Sequence, residues 1–355
     1  MSNGPLDGLK VVEFASIGPG PHAAMLLADM GAEVLRIDRP GGNGWPNPIV
    51  DRGRAVKVLD IRDEAGRDWC KRIVRGADVV IEGMRPGVME RLGLGPDVLC
   101  GENPRLVYGR MTGWGQDGPL AKSAGHDINY IAITGALAAM GKPGEPAAVP
   151  LNLVGDFGGG SLYLAFGILA ALWERERSGQ GQVVDAAIVD GVASLMTFFT
   201  GLASAGRISL SREDNLLAGA APFYRCYLCR DGGEISVGPL EPAFFKVMMT
   251  RLGLDGLIEA QYDKARWGEL TGVLAATFAS QDRSHWTALF AQTDACIAPV
   301  LTASEAPGHP QNAARRSYVE REGVMHPLPA PRLSRTPGSI REDQDGDEMA
   351  ARWLG

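Results

Sequence analysis

The sequence predicts an α/β protein, with a Rossmann-like parallel sheet forming a large domain and a smaller α+β second domain attached to it. Three observations carry that expectation. Up to about residue 110, short β-branched runs alternate with stretches of helical periodicity, the spacing of successive βαβ units. Gly31 and Gly76 close the two intervening helical stretches. Beyond about residue 222 the pattern changes to short strands mixed with amphipathic helices, the mark of a second domain.

Strands are expected at Lys10–Phe14, Glu33–Asp38, Val56–Ile61, Asp78–Glu82 and Leu106–Arg110, with helices at His22–Met30 and Glu64–Arg75. Residues 111–160 are rich in Gly, Pro and Asn and read as loops that build a site on a rigid scaffold. A long helix over Ser161–Arg177 and an apolar stretch over 183–205 come next. The second domain is expected to hold strands Tyr224–Leu228 and Glu234–Val237 and helices Ala243–Leu252, Ala265–Ala279 and Arg283–Gln292. From about 301 the tail is Pro-rich and is expected to run extended across other elements. Residues 1–186 with about 310–355 are assigned to the large domain and about 222–305 to the small one. Segments 187–221 and 306–325 are assigned as linkers.

A chain of 355 residues with 45% hydrophobic residues can bury a full core. Its net charge of −7, from 35 basic and 42 acidic side chains spread along the chain, argues against a nucleic-acid or membrane-surface protein. An anionic ligand would therefore need a local cluster of Arg or Lys. The opening Met1–Phe14 has no basic segment followed by an apolar core, so no secretory signal is read and a cytoplasmic location is expected. The last residues, Ala351–Gly355, do not match a peroxisomal tripeptide. The most apolar stretch, Leu162–Trp173, is broken by Gly167 and closed by Glu174, Arg175 and Glu176; it is too short to span a bilayer and reads as a buried helix. Of the cysteines at 70, 100, 226, 229 and 296, only Cys226 and Cys229 form a CxxC. With no second pair and no nearby His, they read as ordinary thiols on a strand, and no metal is expected.

After the first strand, Gly18-Pro-Gly-Pro-His-Ala23 satisfies G-x-G-x-x-A, and Asp38 ends the second strand. That motif would normally cradle a dinucleotide pyrophosphate with backbone N–H groups, but Pro19 and Pro21 have none. A nicotinamide cofactor is therefore not expected. Arg39, Arg62, Arg85 and Arg91 fall at or beyond strand ends, where ligands of open α/β sheets bind, and a set of guanidinium groups suits a phosphate-rich ligand such as coenzyme A. The bland alternative for each is a pairing with a surface carboxylate.

Three ionisable residues stand in Gly- or Pro-bounded turns: His126 in Gly125–Tyr130, Asp156 in Val154–Gly160, and Glu241 in Gly238–Pro242. Gly155 and Gly158–Gly160 are expected to let a ligand approach the backbone beside Asp156, and the following helix to offer free N–H groups to a carbonyl oxygen gaining charge. The competing structural readings are a helix-capping Asp156 and a core His126 bonded to Asp127 or Asn129. His22, at a helix start, His285, on a polar helical face, and His309 and His326, in Pro-rich loops, read as ordinary.

The chain resembles the α-methylacyl-CoA racemases of the family III CoA-transferase (CaiB/BaiF-type) superfamily over almost its whole length. The resemblance is carried by Gly4–Leu9 with Ile17–Pro21, Arg36–Pro40, Glu82–Gly87, Met111–Gly115, Gly125–Tyr130, Asn152–Gly160 and Gly238–Pro242. It implies a large Rossmann-like domain, a small domain and an interlocked homodimer. It also implies that His126 and Asp156 are the two acid/base groups, with Glu241 beside His126. Coenzyme A contacts are implied at Ile17, Arg39, Leu59, Arg62, Gly83, Met84, Arg85, Arg91, Gly125, Asp127 and Tyr130. Position 62 is Arg where Lys is expected of this family, and position 84 is Met where Tyr is expected.

The chemistry is consistent with that assignment, because inverting a stereocentre needs proton removal on one face and return on the other. Histidine, with an ordinary pKa of about 6.5, serves either role near neutral pH, whereas Asp needs an apolar or anionic setting to raise its pKa. A thioester enolate held by backbone donors needs no metal or cofactor. The competing functions are acyl transfer between CoA thioesters with Asp156 as nucleophile, and acyl-CoA binding without turnover. Met and Leu residues around 192–217 would line an acyl slot or a dimer core.

Overall fold

In the computed structural model, which describes residues 4–42 and 44–355, the chain divides into two compact units. The first comprises the chain up to Ala136, Pro150–Met196 and Tyr318–Gly355; the second comprises Leu137–Val149 and Thr197–Ser317. The first three residues of the N-terminal stretch considered above lie outside the described residues.

The first unit begins with β1 (Lys10–Phe14), α1 (Pro19–Asp29), β2 (Glu33–Asp38), β3 (Arg54–Val58), α2 (Glu64–Val74) and β4 (Val79–Glu82). Short helices α3 (Val88–Arg91) and α4 (Pro96–Glu102) lead to β5 (Val107–Thr112), then α5 (Asp127–Ile133), α6 (Leu162–Ser178), β6 (Val183–Ala187) and α7 (Ile188–Leu195). In the second unit follow α8 (Thr197–Ser204), β7 (Arg225–Leu228), β8 (Glu234–Val237), α9 (Pro242–Arg251), α10 (Trp267–Phe278), α11 (Arg283–Leu289), β9 (Ile297–Val300) and α12 (Pro310–Ala314). The chain then adds β10 (Tyr318–Arg321), β11 (Val324–Pro327), β12 (Gln344–Asp345) and α13 (Gly346–Leu354) to the first unit.

Seven strands of the first unit pair in the order β12-β3-β2-β1-β4-β5-β6, and every pairing is parallel. Parallel strands covered on both faces read as unbroken apolar runs, as Val11–Val12 and Val79–Ile81 do, and these residues are fully buried. The sheet grows from β1 in both directions, to β2 on one side and β4 on the other, so the gap between the carboxyl ends of β1 and β4 is a topological switch point. Beneath it, the Arg54 side chain crosses from β3 to reach Glu13 Oε2 of β1 at 3.1 Å, both fully buried, and donates to the Pro21 carbonyl in α1.

Several elements depart from expectation. The third strand is Arg54–Val58, two residues earlier than predicted, and the stretch 183–205 opens as the edge strand β6 before turning helical. The Pro-rich tail is not simply extended. Glu322 and Gly323 both take positive φ, 51° and 75°, the requirement of a tight two-residue hairpin turn, and β10 and β11 pair antiparallel around them. β12 then joins the sheet beside β3, and α13, capped by the Asp345 carboxylate, packs Met349 and Trp353 into the core. The small sheet has a third strand, β9, paired antiparallel to β8.

The predicted buried helix is buried on one side only. Leu164, Ala165, Ile168 and Ala171 of α6 face inward, while Phe166 and Trp173 are 71% and 72% exposed and Leu162 and Leu169 share their side. A helix lying on a sheet buries one stripe, and α6 is apolar nearly all round, so its sequence did not reveal the outward face. With the helical turns before it, Leu153–Ser178 is long and apolar enough to cross a membrane by length and composition, although its inward stripe here lies against the sheet.

Candidate active site

The switch point holds two adjoining cavities that share Ser16, Ile17 and Met84. The smaller, about 190 Å³, sits over the ends of β1, β2 and β3 and is lined by Arg39 and Leu59 among others. The larger, about 320 Å³, spreads over the ends of β1, β4 and β5 and is lined by Gly83, Arg85, Trp114, Gly125, His126, Tyr130 and Asp156. His126 and Asp156, 30 residues apart in sequence, are thus brought to one cavity.

Each wall has a local cause. Gly18 takes φ 77°, which a residue with a Cβ resists, and this turn starts α1 directly with Pro19. A Cβ at Gly18 would stand 3.4 Å from Asp156 Oδ2, so the glycine loop borders that carboxyl group. His126 occupies the capping position of α5, its backbone N–H donating to Asn129 Oδ1 at 3.1 Å while its side chain is exposed to the cavity. Tyr130, one turn on, donates its hydroxyl to the Gly125 carbonyl and meets Trp114 edge to face at 4.7 Å. The bare Cα atoms of Gly113 and Gly125 make room for that aromatic pair.

Asp156 is not in a turn. Leu153–Ser161 is π-helical, with Phe157 N–H bonded to the Asn152 carbonyl five residues back, and it runs without interruption into α6. The glycines around Asp156 are occupied by protein and not by a ligand's space. A Cβ at Gly155 would strike the Asp127 carboxylate, one at Gly159 would strike Val192 and one at Gly160 would crowd Ile188 and Pro19. The expected free N–H groups are used as well: Asp156 N–H donates to Asp127 Oδ1 at 2.7 Å, and Leu162 N–H to the Phe157 carbonyl. Glycine was legible in the sequence; what would fill its space was not.

Burial is the main cause that raises the Asp156 carboxyl above its ordinary range, and the neighbouring Asp127 adds to it. The hydrogen bond from Asn152 Nδ2 to Asp156 Oδ2, 3.1 Å, and the nearby His126 pull the other way. Such a group can both accept and return a proton closer to neutrality than an exposed Asp.

Other predicted residues fall differently. Arg62 lies outside both cavities, 81% exposed and bonded to Asp60 through Nε and Nη2, and Arg91, exposed in α3, also lies outside their lining. Arg39 lines the smaller cavity with its Nε on the Gly42 carbonyl, 2.6 Å. Asp127 is buried behind the wall. Glu241 belongs to the second unit, exposed just before α9, where its charge reaches Tyr262 and Cys296. His22 sits near the start of α1, as expected, and is half-buried: its Nδ1 meets the fully buried Ser161 Oγ at 2.5 Å and its ring packs on Phe157. His326 lies in strand β11 and is buried, not in a loop. Sequence reasoning missed Trp114 and Asn152 as site residues; the i to i+4 spacing of Asn152 and Asp156 was the available signal, hidden by the reading of this stretch as a turn.

A sequence profile of CoA-transferase family III matches residues 6–344. The chain belongs to CoA-transferase family III. Within the family, it is 43% identical to a Mus musculus protein named alpha-methylacyl-CoA racemase over 353 residues, covering 98% of this chain and 92% of that one. It is 42% identical to the Homo sapiens protein of the same name, covering 94% of this chain and 87% of that one. A crystal structure of a CAIB/BAIF family protein from Brucella suis superposes with a TM-score of 0.85 at 28% identity, covering 99% of this chain and all of that one. In this chain the larger of the two switch-point cavities carries both His126 and Asp156.

Proposed function

We propose that this chain racemises 2-methylacyl-CoA thioesters by two-base proton transfer, with His126 and Asp156 on opposite faces of the α-carbon. The observation that carries the reading is the pair itself: the His126 imidazole and the Asp156 carboxyl, whose proton affinity burial raises, line one cavity in a chain 43% identical to a protein named alpha-methylacyl-CoA racemase. One group removes the α-proton, the thioester delocalises the charge as an enolate, and the other returns a proton from the far side. For the opposite enantiomer the roles exchange. The acidity conferred by the thioester makes an added cofactor or metal unnecessary. Arg39, Leu59, Ile17 and Met84 in the smaller cavity are proposed to hold the coenzyme A portion, with Gly83, Arg85, Gly125 and Tyr130 along the larger one. Glu241 is proposed as a third catalytic residue.

We also propose that the protein acts in the cytoplasm as a homodimer and that the outward apolar face of α6 is part of the interface. Acyl transfer with Asp156 as nucleophile is the reading to be distinguished. Incubating one enantiomer of a 2-methylacyl-CoA in D2O should give loss of optical purity with deuterium at the α-carbon, and hydroxylamine should trap no acyl-enzyme. His126→Ala should abolish inversion while leaving Asp156 able to exchange one enantiomer's proton with retention. A His126→Ala enzyme that inverts at the wild-type rate would remove this mechanism and favour transfer.

A further inference from the structure

The side chain of Asp127 lies in the first turn of α5, buried, yet outside the lining of both cavities. Its Oδ1 accepts the backbone N–H of Asp156 at 2.7 Å, and its Oδ2 is buried with no hydrogen-bond partner among the described residues. The fit is close: a Cβ on Gly155 would stand 2.2 Å from Oδ1, so the residue before Asp156 must be glycine for the carboxylate to reach the amide. What sets this carboxylate apart from a substrate contact is its place: it is buried and lines neither cavity. We infer that Asp127 is a positioning residue for Asp156, fixing through the backbone amide where the Asp156 carboxyl stands in the π-helical turn. The inference rests on the proposed role of Asp156 as a proton-transfer group.

The π-helical geometry explains why such a hold is needed. Its i to i+5 bonding leaves a wider turn than an α-helix, and it occurs in short pieces at functional sites, where neighbours must specify it. Here α7 closes on its back at Gly159, His22 holds Ser161 at its exit, and Asp127 holds the amide of the reactive residue itself. Asp127 also acts through charge, contributing to the raised proton affinity of Asp156. Among the described residues, the ionisable groups near Asp156 include His126 capping α5, Tyr130 within α5, Arg85 from the turn after β4, and His22 from α1 behind Phe157. Asp190, on α7, couples to Asp185.

Two variants separate the parts. Asp127→Asn keeps an acceptor for the amide and removes the charge, so KM for acyl-CoA should stay within about twofold. The Asp156 titration should move to lower pH by roughly half a unit or more, both in the kcat profile and in the 13C carboxyl NMR signal of the full-length protein, identified by its loss in Asp156→Asn. Asp127→Ala removes the acceptor too, and kcat should fall about tenfold or more with KM little changed. A rise in KM without movement of the titration, in either variant, would make Asp127 a substrate contact and overturn the inference. So would wild-type kinetics and an unmoved carboxyl signal in Asp127→Asn. Because the NMR titration does not depend on turnover, a shifted signal in a protein that fails to racemise would reject the proposed function while leaving the Asp127–Asp156 coupling intact.

Discussion

At the residue scale, Asp156 shows how one environment sets both chemistry and stability. Its carboxyl binds a proton more tightly in the folded state than in the unfolded chain, because burial penalises the charged form. Its contribution to stability is therefore greatest below the ordinary carboxylate range and is lost as pH rises through the raised folded-state value. Asp156→Asn removes that loss, keeps a carbonyl for Asn152 to bond, and should melt at a higher temperature than wild type at pH 7 while being inactive. The difference should shrink as the pH is brought below about 4, and calorimetry across pH would check both signs. The arginines divide by placement. Arg39 lines a cavity, so Arg39→Ala should raise KM more than it lowers kcat, since remote contacts bind substrate and transition state alike. Arg62 is already held by Asp60 at the exposed surface, so Arg62→Ala should change KM less than Arg39→Ala in the same steady-state assay.

At the element scale, the site depends on how the π-helical turn and α1 are held from behind. Gly191 of α7 packs on the backbone of Gly159, where an added Cβ would lie 1.8 Å from the Gly159 carbonyl oxygen. Backbone cannot yield as a side-chain tip does, so Gly191→Ala should displace the turn, cost about 1–3 kcal/mol in denaturant unfolding and lower kcat. Arg54 joins β3, β1 and the start of α1 through Glu13 and the Pro21 carbonyl. Arg54→Leu removes the cation that hydrogen-bonds the fully buried Glu13, and a loss of about 3–5 kcal/mol is expected, readable as a fall in the unfolding midpoint.

At the scale of the whole molecule, one side of α6 stands exposed and apolar. Leu162, Phe166, Leu169 and Trp173 recur at helical spacing, and burying each large side chain is worth roughly 1.5–3 kcal/mol. The double substitution Phe166→Lys with Trp173→Lys should therefore shift a homodimer toward monomer in sedimentation velocity. An unchanged dimer mass would move the interface elsewhere.

The amino-acid sequence by itself determined the α/β class and the first five strands of the sheet to within two or three residues at either end. These follow from local periodicity, a property that residues carry with them. It also singled out His126 and Asp156, because unusual Gly-bounded contexts and the family resemblance both pointed there. Only the tertiary structure decided that the two share a cavity, that Asp127 turns inward to hold an amide, that Arg62 pairs with Asp60, and that the tail returns to complete the sheet. Those outcomes depend on what lies opposite each residue once strands distant in sequence have paired, and no local pattern along the chain encodes the neighbour across the gap.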